Sequence, residues 1–418
     1  MNMVMLSRVK GRHPFRKIGV KMRKLALFLV PFILLGGSAF PQAKKGASPE
    51  EEQKLVAYLK SHWKSPEDYV VEKFSDHDIV FIGEYHRIRH DVELIHNLIP
   101  RLYKAGVYNL GIEFGCYEYQ DKVDRLITAD KYEEDLARWL QFKQYVMWGY
   151  KEYEDIYRKA WELNQTLPAG APKFRVVGLG YRADWTALKE NMTREQWQNV
   201  WLKGDPDEYM GQTVLREFVN QGKKALIYSG SHHAFTHYQQ PIYDFEKKKF
   251  IRFNGNRMGN IVYAQIPNRV FNIFLHSPWA SRAGFEEGIY PVGGAIDRVM
   301  SGFRDQRVGF DVKGSPFGAL PDDQSYYSVG YPQFTLSTFC DGYIFQKRLK
   351  DYEGCTVDEA FITNDNLQEA IDNLPTLPGR KGVKKPEDLQ DSMRKDADFR
   401  WRFRNLESVL PAVSVERH

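Results

Sequence analysis

The stretch Phe81–Asp91, FIGEYHRIRHD, decides how the chain is read. An apolar run from Ile79 to Ile82 stops at Gly83. A carboxylate, an aromatic ring and an imidazole follow at once as Glu84, Tyr85 and His86, with a second imidazole at His90. A short apolar run bounded by glycine has the length of a buried strand. Glycine lets the backbone turn sharply where such a strand ends. The next segment, DVELIHNLIPRLYKAG, reads as a helix. Asp91 is placed to cap it, Leu94, Ile95, Leu98 and Leu102 share one face, and Gly106 ends it.

The same alternation continues outward. YNLGIEFG, FRVVGLG, KKALIYSG and RVFNIFLHS read as four more strands, and residues 118–163 and 193–221 as the helical segments between them. Strands alternating with helices predict an α/β fold with a mixed, largely parallel central sheet flanked by helices. In such sheets ligands bind beyond the carboxyl ends of the strands. The α/β domain is expected over residues 78–280, after an N-terminal lead-in helix in 44–77. Residues 281–375, rich in Gly, Pro and aromatics, read as a loop-rich extension packed on the core, and 376–418 as a polar C-terminal helical tail.

Residues 1–43 carry eight Lys or Arg and no Asp or Glu. Subtracting those eight from the net charge of +5 leaves −3 for residues 44–418. A slightly acidic body does not suggest a nucleic-acid-binding face. The basic stretch ending in KMRK, the apolar run Leu25–Leu35 and the following GGSAFPQA have the order of a secretory signal peptide, expected over residues 1–43. The apolar run is shorter than the roughly 20 residues that span a bilayer, so a cleaved leader is expected over the alternative of an uncleaved membrane anchor, with no stable membrane span after signal removal. The expected location is therefore exported, in the periplasm or outside the cell. Export would place Cys116, Cys340 and Cys355 in an oxidising compartment, where Cys340 and Cys355 are candidates for a bridge.

Three strand ends carry chemistry. The first exits into Gly83-Glu84-Tyr85-His86, the second carries Glu113 in GIEFG, and the fourth exits into Gly230-Ser231-His232-His233. Both histidine motifs have the form Gly-x-x-His. If these strands are neighbours, His86, Glu113 and either His232 or His233 meet in one crevice. Two imidazoles and a carboxylate can hold a divalent metal with an open position. Without a metal, one imidazole can take a proton from water while a carboxylate fixes its tautomer. Glu113 could instead pair with Arg182 or Arg257. His90 is read as a supporting or surface residue, and His276 as a further candidate for the crevice. Phosphate-loop and dinucleotide signatures are missing, and Ser231 lacks the second glycine of a nucleophile elbow.

These motifs, IVFIGEYHRIRHD, LGIEFG and ALIYSGSHHAF, together with RMGNIVYA at Arg257–Ala264, resemble the superfamily that joins ChaN-like haem-binding lipoproteins, erythromycin esterases, and TraB and Tiki proteins. The resemblance implies three alternatives. Tiki-like members would make His86, Glu113 and His233 the ligands of a metal-dependent hydrolase. Esterase-like members would make His86 the base that activates water, with Glu84 and Glu113 beside it. ChaN-like members would make the protein a haem- or iron-binding uptake protein without hydrolase activity. The chain lacks a lipobox cysteine and has one residue fewer between the first Glu and His than the esterases, and residues after 280 match no branch. The resulting expectation is an exported hydrolase of ester or amide bonds in a small-molecule or peptide substrate, with Glu84, His86, Glu113 and His233 catalytic. Its expected cofactor is a divalent metal ion, or haem in the alternative.

Overall fold

The computed structural model describes residues 47–193, 195–284 and 287–406. The expected signal peptide and the end of the C-terminal tail lie outside the described residues. Eleven strands form among the described residues: β1 Ile79–Glu84, β2 Asn109–Cys116, β3 Arg175–Gly180, β4 Ala225–Gly230, β5 Gln240–Asp244, β6 Lys249–Asn254, β7 Val270–Leu275, β8 Trp279–Ala280, β9 Gly288–Ile289, β10 Val308–Asp311 and β11 Gly342–Phe345. Seven of them make one sheet in the order β10-β11-β7-β1-β4-β2-β3. Every pairing in it is parallel except β10 with β11. This is the mixed, largely parallel α/β sheet that the sequence predicts.

Side chains of a strand alternate between the two faces of its sheet, and here the alternation divides the core in two. Val80, Ile82, Leu110, Ile112, Leu226 and Tyr228 pack with Leu94, Leu98 and Ile156 from the helices Arg89–Lys104 and Lys151–Thr166. Ile79, Phe81, Ala225 and Ile227 pack on the other face with Met210 and Val214 of the helix Pro206–Glu217. The parity also aims the polar residues. Glu84 follows Val80 and Ile82 onto the first face, whereas Glu113 lies on the face opposite Ile112 and Phe114.

Several local expectations change. The helix after β1 begins at Arg89 with no side-chain cap, and Asp91 is buried, accepting a hydrogen bond from Gln346 Nε2 at 2.9 Å. The segment 281–375 supplies the helix Ala295–Gly302 and the strands β10 and β11, so the sheet extends past residue 280. The candidate Cys340–Cys355 bridge does not form. All three cysteines are buried free thiols, with Cys340 in the core on one face and Cys355 in the core on the other. No helix of the described residues is long and apolar enough to cross a membrane.

Candidate active site

β1 and β4 are adjacent and in register, with Glu84 opposite Gly230. β2 flanks β4 as far as the pair Ile112–Tyr228. The three strand ends singled out in the sequence therefore lie side by side at the carboxyl edge of the sheet. Where the β2–β4 ladder stops, a side chain continues it: Gly230 N–H donates to Glu113 Oε2 at 2.7 Å. A buried N–H must find an acceptor, and this one fixes Glu113 at the crevice floor.

Glu84 is buried and organises the first half of the site. Its Oε1 lies 2.8 Å from His86 Nδ1 and accepts from the Tyr153 hydroxyl at 2.6 Å. Its Oε2 accepts from the Tyr228 hydroxyl. Tyr153 also accepts from Arg87 N–H at 3.0 Å, which helps hold the left-handed backbone at Arg87, φ +71°. A carboxyl group accepts from Nδ1–H, so His86 carries its proton there and leaves Nε2 with a lone pair. Nε2 makes no hydrogen bond with the described residues. Edge-to-face rings from Phe114 at 5.6 Å and Trp148 at 5.0 Å hold the imidazole. Burial lowers the pKa of His86 against the opposing pull of Glu84 and Glu113, so the ring is neutral at pH 7.

The second half is a chain of alternating charge. Glu113 Oε1 stands 3.2 Å from His233 Nε2, and Asp207 Oδ1 stands 2.6 Å from His233 Nδ1. Asp207 also accepts from Arg257 Nη1 at 2.7 Å and from Met258 N–H at 2.9 Å. Arg257 Nη2 continues to Gln240 Oε1 at 2.6 Å. Burial disfavours the charge on His233, but Asp207 and Glu113 outweigh it and push its pKa up to about 9. His233 is thus an imidazolium at neutral pH, with each ring N–H aimed at a carboxylate. Burial likewise opposes the charge on Glu113, and the His233 cation overcomes this to hold its carboxyl well below the usual range.

The two halves meet at Gly230. A Cβ there would lie 2.8 Å from His86 Nε2 and 3.4 Å from Glu113 Oε2. Only a glycine lets the neutral imidazole and the anionic carboxylate close on the same spot. Above them opens a cavity of about 410 Å³, walled by aromatic rings such as Phe114, Trp148, Trp185, Trp279 and Phe403. A mostly apolar cavity with a few convergent polar groups is the usual form of a small-molecule site.

A metal does not suit this donor set. Among the described residues no group of three or more His, Cys, Asp or Glu could hold an ion. A metal ligand must be a deprotonated imidazole nitrogen, whereas both nitrogens of His233 are occupied by carboxylates. Haem fits better in its requirements for a ligand and walls. His86 Nε2 is an imidazole nitrogen without a bonding partner among the described residues, at a cavity of aromatic rings, and a haem bound there would supply an iron centre for binding or transport.

Of the residues read from sequence, Glu84, His86, Glu113 and His233 come together at one crevice. His232 also lines the cavity, but its Nε2 pairs with the Tyr327 hydroxyl at 3.2 Å instead of with Glu113. Glu113 pairs with neither arginine considered for it: Arg257 holds Asp207, and Arg182 lies 3.3 Å from Glu369. His90 is buried against Tyr352, ring centroids 4.5 Å apart, and is neither a surface residue nor a partner of His86. His276 is buried between Tyr343 and Asp297, away from the crevice. Sequence reasoning missed Asp207, Tyr153, Tyr228 and Trp148. Asp207 sits in the DPDE start of a helix, where it resembles an ordinary first-turn acid, and the tyrosines resemble ordinary core.

These features place the protein among α/β proteins with a paired Glu-His site at the strand ends. Residues 70–206 match the family model described as "Haem-binding uptake, Tiki superfamily, ChaN", which supports the superfamily that the motifs resemble. No curated protein matches the chain. Among solved structures, a succinoglycan biosynthesis protein is similar over 75% of this chain and 100% of its own at 11% identity, TM-score 0.50, a likeness of fold. A Bacillus cereus protein is similar over 71% of this chain and 99% of its own at 10% identity, TM-score 0.44. An erythromycin esterase in its open conformation is similar over 68% of this chain and 94% of its own at 10% identity, TM-score 0.43.

Proposed function

We propose that the protein hydrolyses an ester or amide bond with water activated by His86. The observation that carries this reading is the Glu84–His86 pair, 2.8 Å apart, with Nε2 at the cavity and unbonded among the described residues. A base must be within hydrogen-bond reach of the proton it takes, and its other nitrogen must be oriented. Water between His86 Nε2 and Glu113 would give its proton to Nε2 while its oxygen bonds to the carbonyl carbon. The carbonyl electrons move to oxygen, and their return expels the alcohol or amine, which takes the proton back from Nε2. Glu84 and Glu113 stabilise the imidazolium formed in between. His233, held by Asp207, keeps Glu113 ionised and in place.

Export through the leader at residues 1–43 forms part of the proposal, and places the activity outside the cytoplasm. The test is hydrolysis of 4-nitrophenyl esters by purified protein. His86→Ala should lower the rate about 10²–10⁴-fold, and a chelator should leave the wild-type rate unchanged. A rate that survives His86→Ala would sink the reading.

The second reading, a haem-binding uptake protein, is favoured by the wording of the family match and by the free Nε2 of His86. Titration with hemin decides it. A Soret band that is lost in His86→Ala, without esterase activity in the wild type, would replace the hydrolase reading.

A further inference from the structure

Arg87 follows the proposed base directly, and among the described residues its side chain has one long ion pair. Asp396 is 4.0 Å from Nη2 and is itself half exposed, while the Arg87 side chain is only 14% exposed. The Nε of Arg87 is buried with no hydrogen-bond partner. The guanidinium instead lies over Trp148, Cζ 4.5 Å from the ring centroid. On its other contacts Trp148 meets the His86 ring edge-to-face at 5.0 Å. Trp148 is 6% exposed, and its indole Nε1 is a second buried donor without a partner. Both residues line the cavity. Buried polar groups are almost always hydrogen-bonded, so each exception calls for an explanation. A buried cation whose anion is distant and half exposed is more costly still.

Two orphan donors, one of them cationic, lie just beneath the wall shared with the base, where a small turn of either side chain presents them to a ligand of one chemistry. Arginine pairs with carboxylates through a planar fork of N–H groups. Gln144 lines the same cavity, and its Oε1, a buried acceptor without a partner, suits a hydroxyl or N–H beside such a group once the amide turns outward. We propose that Arg87 and Trp148 form a carboxylate-binding subsite, which holds an anionic arm of the ligand one ring's width from His86. The contact with the anion stands on its own geometry. Its use in catalysis rests on the hydrolase reading.

Two esters of equal carbon count separate these claims: 4-nitrophenyl valerate, and the mono-4-nitrophenyl ester of glutaric acid. After correction for spontaneous hydrolysis, the wild type should favour the anionic ester in kcat/KM. Arg87→Gln should collapse that preference about 10–150-fold, the range of one hydrogen bond to a charged group. Arg87→Lys should restore part of it. Trp148→Phe, which keeps the ring and removes the N–H, should reduce it about 3–10-fold, and it decides the matter if Arg87→Gln fails to fold. Binding of free glutarate, followed by calorimetry, needs no turnover. Glutarate binding that depends on Arg87 in a protein that cleaves neither ester would keep the subsite and remove the hydrolase reading. Hemin binding weakened by Arg87→Gln would assign the subsite to the carboxylates of a porphyrin. Ester cleavage without preference, with glutarate binding equal in wild type and Arg87→Gln, would overturn the subsite and leave hydrolysis standing.

Discussion

Replacing Glu84 by Gln tests the base and its support together. Glu84 Oε1 accepts from His86 Nδ1 at 2.8 Å and Tyr153 at 2.6 Å, and Oε2 accepts from Tyr228. An amide offers one oxygen and one NH₂, so one of these positions must change. If the NH₂ took the Oε1 position, it would face both His86 Nδ1–H and a Tyr153 hydroxyl already committed to Arg87 N–H. If it takes the Oε2 position, Tyr228 need only turn its hydroxyl to accept. The second arrangement wins, so His86 keeps its tautomer and loses only the negative charge. A hydrogen bond to a charged group contributes about 1.5–3 kcal/mol, and about 1.36 kcal/mol is a factor of ten in rate. Glu84→Gln should therefore lower kcat/KM about 10–150-fold and move the acid limb of its pH profile downward, because Glu84 raises the His86 pKa. Glu84→Leu should be worse. It frees the tautomer and strands two buried hydroxyls, each at a cost of about 1–3 kcal/mol in stability. Stopped-flow or plate-reader hydrolysis of a 4-nitrophenyl ester between pH 4 and 9 reads both effects. A Glu84→Gln rate within threefold of wild type, with an unmoved acid limb, would refute the assignment of Glu84.

His233 stands at about 9 in the fold against 6.5 in a free chain. Its protonation therefore stabilises the fold fully below about pH 6.5 and progressively less as pH rises through about 9, a loss on the order of 3 kcal/mol. Asp207→Asn should flatten that decline in urea melts taken across pH 6–9, and an unchanged slope would contradict the charge chain. Gly230→Ala would place a Cβ 2.5 Å from His86 Cε1, so it should displace the ring and lower kcat/KM at least about tenfold. An alanine variant with full activity would show that the imidazole position does not matter.

The alternation of strands and helices over residues 78–280, and the placing of Glu84, His86 and Glu113 at strand ends, could be read from local pattern, because an apolar run and its exit are written within a short stretch. That β1, β4 and β2 lie side by side entered only as a condition, which the sheet order meets. The choice between His232 and His233 could not. It depends on Asp207, which arrives from a helix start more than twenty residues earlier, and on which side of β4 the chain turns. Tyr153 and Tyr228 were hidden for a similar reason. In a strand or an amphipathic helix a tyrosine reads as core, and only tertiary packing reveals that its hydroxyl meets a carboxylate. β10 and β11 were missed because four-residue strands inside a Gly- and Pro-rich segment give too short a pattern to separate from loop. The cysteine pairing stayed open in the sequence because a separation of fifteen residues says nothing about which face of the sheet each thiol joins.

The central claim is the protonation state of the two imidazoles, and it can be tested without knowing the substrate. ¹⁵N spectra of histidine-labelled protein at pH 7, assigned with the His86→Ala and His233→Ala variants, report both rings. His86 should be neutral with its proton on Nδ1, and His233 should carry protons on both nitrogens. A doubly protonated His86, or a His86 with its proton on Nε2, would contradict the account.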